Sequence, residues 1–95
     1  LEQNSKLHAL LSDISKQCEF NGKKRDVDTW KMIFVSAHKI ATGGQAEMVI
    51  GIEGEVINLR ESTAQMGVKR LASLIEYVQA WGVENGVKFN DKWEF

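Results

Sequence analysis

A chain of 95 residues with a net charge of −1 holds one domain and is too evenly charged for a binder driven by overall electrostatics. Its 43% hydrophobic and 26% charged residues exclude a disordered or fibrous chain, and no apolar run nears the ~18 residues of a membrane span. A single cysteine, Cys18, excludes an intramolecular disulfide and, with no signal-peptide pattern, fits a reducing cytoplasm.

From about Gln3 to Cys18, the residues Leu7, Leu10, Leu11, Ile14 and Cys18 recur at the helical period and predict a first helix. Asn21-Gly22 ends it, because both residues tolerate positive φ. Lys23, Lys24 and Arg25 then form an exposed basic turn. Asp26 or Asp28 supplies the N-cap of a second helix, and either carboxylate suits the positive end of its dipole. Trp30, Ile33, Phe34, Ala37 and Ala41 mark that helix's buried face, and Gly43-Gly44 stops it.

Met48 to Ile52 and Val56 to Arg60 read as two strands joined at Glu53-Gly54. Met48, Ile50 and Ile52 share one face of the first strand, and Ile57 and Leu59 share one face of the second. A lone hairpin is marginal in water, so this one is expected to lie on the helices or join a larger sheet. Ser62 to Phe89 predicts a polar loop, a long helix, a glycine stop and a short strand. Leu71, Ile75 and Val78 form one apolar row of that helix, with Leu74, Tyr77 and Trp81 as a second row beside it. One stripe covers a monomer core; two predict burial on two sides, the second against another subunit. Leu74, Tyr77 and Trp81 are the expected dimer contacts.

Charge is distributed unevenly. Residues 1–42 carry seven Lys or Arg against five Asp or Glu, residues 43–68 one against four, and residues 69–95 four against four. Basic groups therefore gather in the first helices and at the head of the last, where Lys69 and Arg70 stand.

Motifs for catalysis are scarce. His8, Cys18 and His38 lack any CxxC or HxxxH partner, so two half-exposed histidines and a packed cysteine are expected, with no metal or other cofactor. Glu53, Glu55 and Glu61 resemble the carboxylate cluster of a magnesium-dependent nuclease, although glutamates at strand turns more often protect sheet edges. Ser62 and Thr63 precede a helix and read most simply as caps. Trp30, Phe34, Tyr77 and Trp81 lie on apolar helical faces and read as core or interface, not as base-stacking platforms. Phe20, Phe89 and Trp93 lie near turns, and packing under the helices is expected for them too.

Four segments together resemble one family. Leu1-x-Gln3-Asn4-x-Lys6-Leu7, Trp30-Lys31, Ser62-Thr63-x-x-Met66 and Ala80-Trp81-Gly82-x-Glu84-x-Gly86-Val87-Lys88 occur in the order and spacing of the NinB, or Orf, family of bacteriophage recombination proteins. The similarity runs from Leu1 to about Asp91. It implies an upstream strand-bearing segment and further chain downstream. It also implies a homodimer that binds single-stranded DNA and helps a phage or host recombinase replace single-strand-binding protein. Carried onto this sequence, the DNA contacts would come from Gln3, Asn4, Lys6, Lys31, Ser62 and Thr63, with Lys69 and Arg70 following directly. Lys23, Lys24 and Arg25 join the expected set if their turn borders the groove.

The expectation is thus an α+β domain over residues 1–95, three helices with a β-hairpin, in an intertwined or helix-packed homodimer. It would bind DNA without catalysis, through phosphate-neutralising Lys and Arg and polar groups on backbone or base edges. A metal-dependent phage nuclease and a protein-interaction module that does not touch DNA are the alternatives.

Overall fold

The computed structural model describes residues 2–45, 47–59 and 63–90. Along the chain, α1 spans Glu2–Gln17, β1 Glu19–Phe20, β2 Lys23–Lys24, α2 Val27–Ala41, β3 Glu47–Ile50, β4 Val56–Leu59 and α3 Val68–Glu84, with a 3-10 turn at Thr63–Gln65 before the last helix. The fold is α+β: three helices and two small antiparallel hairpins, β1–β2 and β3–β4.

The helical period of α1 puts Leu7, Leu10, Leu11 and Ile14 on one buried face. They meet Leu71, Leu74, Ile75 and Val78 of α3 and Trp30, Phe34 and Val35 of α2 in one apolar cluster. Each fully buried aliphatic side chain contributes about 1.5–3 kcal/mol, so this three-helix core is the main source of stability. Leu74 is 0% exposed within a single chain, as is Val78. Both predicted rows of α3 therefore serve the core at Leu74, and only Tyr77 and Trp81 of the second row stay half-exposed. The expected dimer contact at Leu74 is corrected: a wholly enclosed side chain has no surface to offer a partner.

Helix ends follow local chemistry. The Asp26 side chain accepts from Thr29 N at 2.8 Å, so Asp26, not Asp28, caps α2. The Thr29 backbone hydrogen bond holds its carboxyl below the ordinary aspartate range. At the far end of α3, Gly86 takes φ 77°, while Val87 N donates to Gly82 O at 2.8 Å and Gly86 N to Val83 O at 3.2 Å. That paired pattern satisfies the last carbonyls with glycine in the left-handed position.

Three further expectations change. Asn21 and Gly22 both have positive φ, 54° and 75°, the geometry of a two-residue hairpin turn. Lys23 and Lys24 are therefore strand residues paired with Phe20 and Glu19, not a free turn. The strand expected after Gly86 is absent: residues 87–90 are irregular. Gln17 replaces a strand neighbour, its Nε2 donating to Lys88 O and its Oε1 accepting from Lys88 N, both at 2.8 Å. His38, expected half-exposed, is 3% exposed and joins α2 to α3 through a 2.9 Å hydrogen bond between Nε2 and Ser73 Oγ.

The β3–β4 hairpin packs only lightly on the helices. Its register pairs Met48 with Asn58 and Ile50 with Val56, so these four side chains share one face. Met48, Ile50 and Val56 on that face are exposed, as is Ile52 in the turn. Val49 and Ile57, paired on the other face, are half-buried.

Candidate nucleic-acid interface

Two recesses flank α2. The first is a small cleft of about 190 Å³ lined by Asn4, Leu7, His8, Leu11, Lys31 and Thr63. Helical spacing builds its α1 wall, since Asn4 and His8 stand four residues apart and Leu7 and Leu11 do the same one row inward. Leu7 and Leu11 are core residues and form an apolar floor. Lys31 enters from the second turn of α2, and Thr63, only 6% exposed, from the 3-10 turn.

The cleft thus joins one residue from each of three separate segments singled out by sequence: Asn4, Lys31 and Thr63. Among the described residues, the side chains of Asn4, His8, Lys31 and Thr63 make no hydrogen bond or ion pair with the rest of the chain. Polar groups gathered at one recess with unused bonding capacity are available to a ligand.

The remaining candidates divide. Gln3 is half-buried on α1 and does not line the cleft. Lys6 and Arg70 are half-buried and engaged in contacts within the chain, whereas Lys69 is exposed at the head of α3. Lys24 Nζ donates to Lys16 O at 2.7 Å and Arg25 Nε to Phe20 O at 3.1 Å. Lys24 thus ties the first hairpin to the end of α1 and Arg25 braces the hairpin against its own first strand, while Lys23 is exposed. Lys16 lies twelve residues beyond Asn4 on α1, about 18 Å along the helix axis. The basic hairpin and the cleft are separate features. Ser62 lies outside the described residues.

Sequence reasoning missed His8 as part of this site. The available signal was its i, i+4 relation to Asn4, which carries it onto the same helical face.

The second recess is a groove of about 510 Å³ lined by aromatic and aliphatic groups. Trp30 stands at the centre of the cluster, its ring centroid 5.6 Å from Phe34, 5.8 Å from Phe20 and 5.5 Å from Trp81. Trp81 and Tyr77 meet Phe34 edge-on at 5.2 and 6.5 Å. Met32, Ile33 and Ala37 extend the groove along α2, and Asn58 brings the β3–β4 hairpin to its edge. Since Asn58 shares a face with Met48, Ile50 and Val56, the groove and the exposed apolar face of the hairpin adjoin.

The acidic residues do other work. Glu55 Oε1 accepts from Glu53 N at 2.9 Å, and Gly51 N donates to Glu55 O at 2.8 Å, closing the β3–β4 turn. A side chain at Gly51 would collide with the Glu55 carboxylate. Glu61 lies outside the described residues. Among the described residues no three His, Cys, Asp or Glu side chains gather as a metal site, and no helix is long and apolar enough to cross a membrane.

Fold and recesses define a small α+β protein with a helical core, a polar cleft and an aromatic groove. The sequence profile described as NinB protein matches residues 1–90, and the chain belongs to the NinB family. It is 39% identical over 93 residues to protein ninB of Escherichia phage lambda, a match covering 97% of this chain and 60% of that protein. Protein ninB of Salmonella phage P22 is 38% identical over 93 residues, covering 97% of this chain and 61% of the relative. The chain therefore spans about 60% of the length of these curated relatives. A solved structure described as "Structural Genomics, NinB" superposes with a TM-score of 0.84 at 37% identity, covering 99% of this chain and 68% of that one.

Proposed function

We propose that this chain is a non-catalytic, single-stranded-DNA-binding mediator of phage homologous recombination. In this reading it acts as a homodimer in the cytoplasm of the bacterial host and helps a recombinase load onto DNA covered by single-strand-binding protein. The observation that carries the reading is the cleft in which Asn4, Lys31 and Thr63 converge from three elements. One cation beside uncharged hydrogen-bonding groups suits a polyanion bound at few phosphates, with amide and hydroxyl adding contacts that charge alone would not provide. Membership of a family with phage representatives supports the recombination role. The use of Glu55 within its own turn supports a role without metal-dependent cleavage.

Assembly is supported by the aromatic groove. Exposed apolar surface at Met48, Ile50 and Val56 beside Tyr77 and Trp81 is the kind of patch that marks a protein contact. The same observation favours a second reading, a module that engages a protein partner through the groove and does not touch DNA.

Fluorescence anisotropy with labelled oligo-dT at two salt concentrations tests the choice. The expected result is moderate affinity with a shallow salt slope, log K falling by ~0.7 per neutralised phosphate per log unit of salt. Lys31→Ala should weaken binding and flatten the slope by about one phosphate's worth. Absence of binding at low salt, with capture of a recombination partner retained, would favour the interaction module. Metal-dependent cleavage of the oligonucleotide would revive the nuclease.

A further inference from the structure

We infer that the cleft between α1, α2 and the 3-10 turn seats one unstacked nucleobase of the bound strand, with Asn4 and Thr63 on its edge and Lys31 on a neighbouring phosphate. The inference rests on the single-strand reading and makes it specific.

The shape and chemistry of the cleft carry it. Its 190 Å³ is an order of magnitude above the roughly 10–15 Å³ that admits one water, so it accepts a multi-atom group. Leu7 and Leu11 beneath it are only 2% and 1% exposed, so contact with a bound group falls to the polar walls. The walls supply one amide, one hydroxyl, one imidazole and a single ammonium. A carboxamide both donates and accepts, which matches the mixed edge of a base; a phosphate has acceptors only and would leave the Asn4 carbonyl oxygen unmatched. His8 is exposed at the rim, where its ring can lie against a base plane as aromatic side chains do in single-strand recognition.

A base engaged this way must have its edge free and be out of the stack, so the seat favours single strands over paired ones. It also gives the binding energy a source other than phosphate neutralisation, in keeping with a chain whose net charge is −1.

The test compares oligo-dT with an abasic oligonucleotide of the same length and phosphate count, by anisotropy at fixed low salt. The unmodified chain should bind oligo-dT about fivefold or more tightly than the abasic strand, the scale of one base contact. Asn4→Ala and Asn4→Ser, both on the outer part of α1, should close that gap by weakening oligo-dT more than the abasic strand. Lys31→Ala should weaken both strands together and preserve the gap. Equal binding of the two strands by the unmodified chain overturns the base seat while leaving single-strand binding intact. A gap that survives both Asn4 variants also overturns it, because the bases are then read elsewhere. Failure of either strand to bind at low salt removes the single-strand reading and the seat together.

Discussion

The cleft and the groove share α2 but are built on different physics. The groove is aromatic, with Trp30 against Phe20, Phe34 and Trp81, and its walls are also the wall of the core. The cleft is small and polar, and among the described residues its four polar side chains make no hydrogen bond or ion pair with the rest of the chain. A surface that doubles as core resists change, because substitution alters stability and binding at once. Side chains that only line a cleft can be exchanged at low cost to the fold. The pair teaches where to look for function: at polar groups gathered without a structural task.

The strongest way to break that contrast is at Trp30. Trp30→Ala should destabilise the chain by about 3–5 kcal/mol, the range for removing a buried aromatic, out of a total that for such domains is about 5–15 kcal/mol. Urea unfolding measures it. A loss near that for Lys31→Ala, expected within about 0.5 kcal/mol of the unmodified chain, would mean that the groove is not part of the core.

Trp81 tests whether the groove, besides walling the core, also carries the proposed homodimer contact. The side chain is half-buried, with one face on Phe34 and Trp30. Trp81→Glu is expected to shift a homodimer toward monomer in light scattering, since a charge would enter a contact without water. A melting temperature that falls with no change in assembly would assign Trp81 to the core alone and point to the exposed hairpin face for any contact.

The smallest effect sharpens the fold side of the comparison. The carboxyl of Asp26 is held below its usual range by the Thr29 backbone hydrogen bond, so its contribution is present at neutral pH and is lost as pH falls through the folded-state value. Asp26→Asn keeps an acceptor but not the charge. Its melting temperature should lie slightly below that of the unmodified chain at neutral pH and converge with it as pH falls below the lowered folded-state value. Parallel curves would show that the cap acts through geometry alone.

Much of this molecule was legible in local sequence. The period of Leu7, Leu10, Leu11 and Ile14, the cap before Trp30, the glycine stops and the Gly54 turn depend on neighbours within a few residues, so they can be read from order alone. The motifs holding Asn4, Lys31 and Thr63 were visible for the same reason, each within a short segment. What sequence left undecided is everything that needs two segments at once. Leu74 falls on an outer row by spacing, yet α1 and α2 enclose it, because three short helices cover more of one another than a single stripe suggests. The residues after Gly86 have strand composition, but the side chain of Gln17 meets the backbone of Lys88 where a strand partner would be needed. His38 is polar by type yet buried, with its Nε2 hydrogen-bonded to Ser73, 35 residues away on another helix. The meeting of Asn4, His8, Lys31 and Thr63 is the same kind of fact. Local spacing determines which face of a helix a residue occupies, and only the packing of helices decides what that face meets.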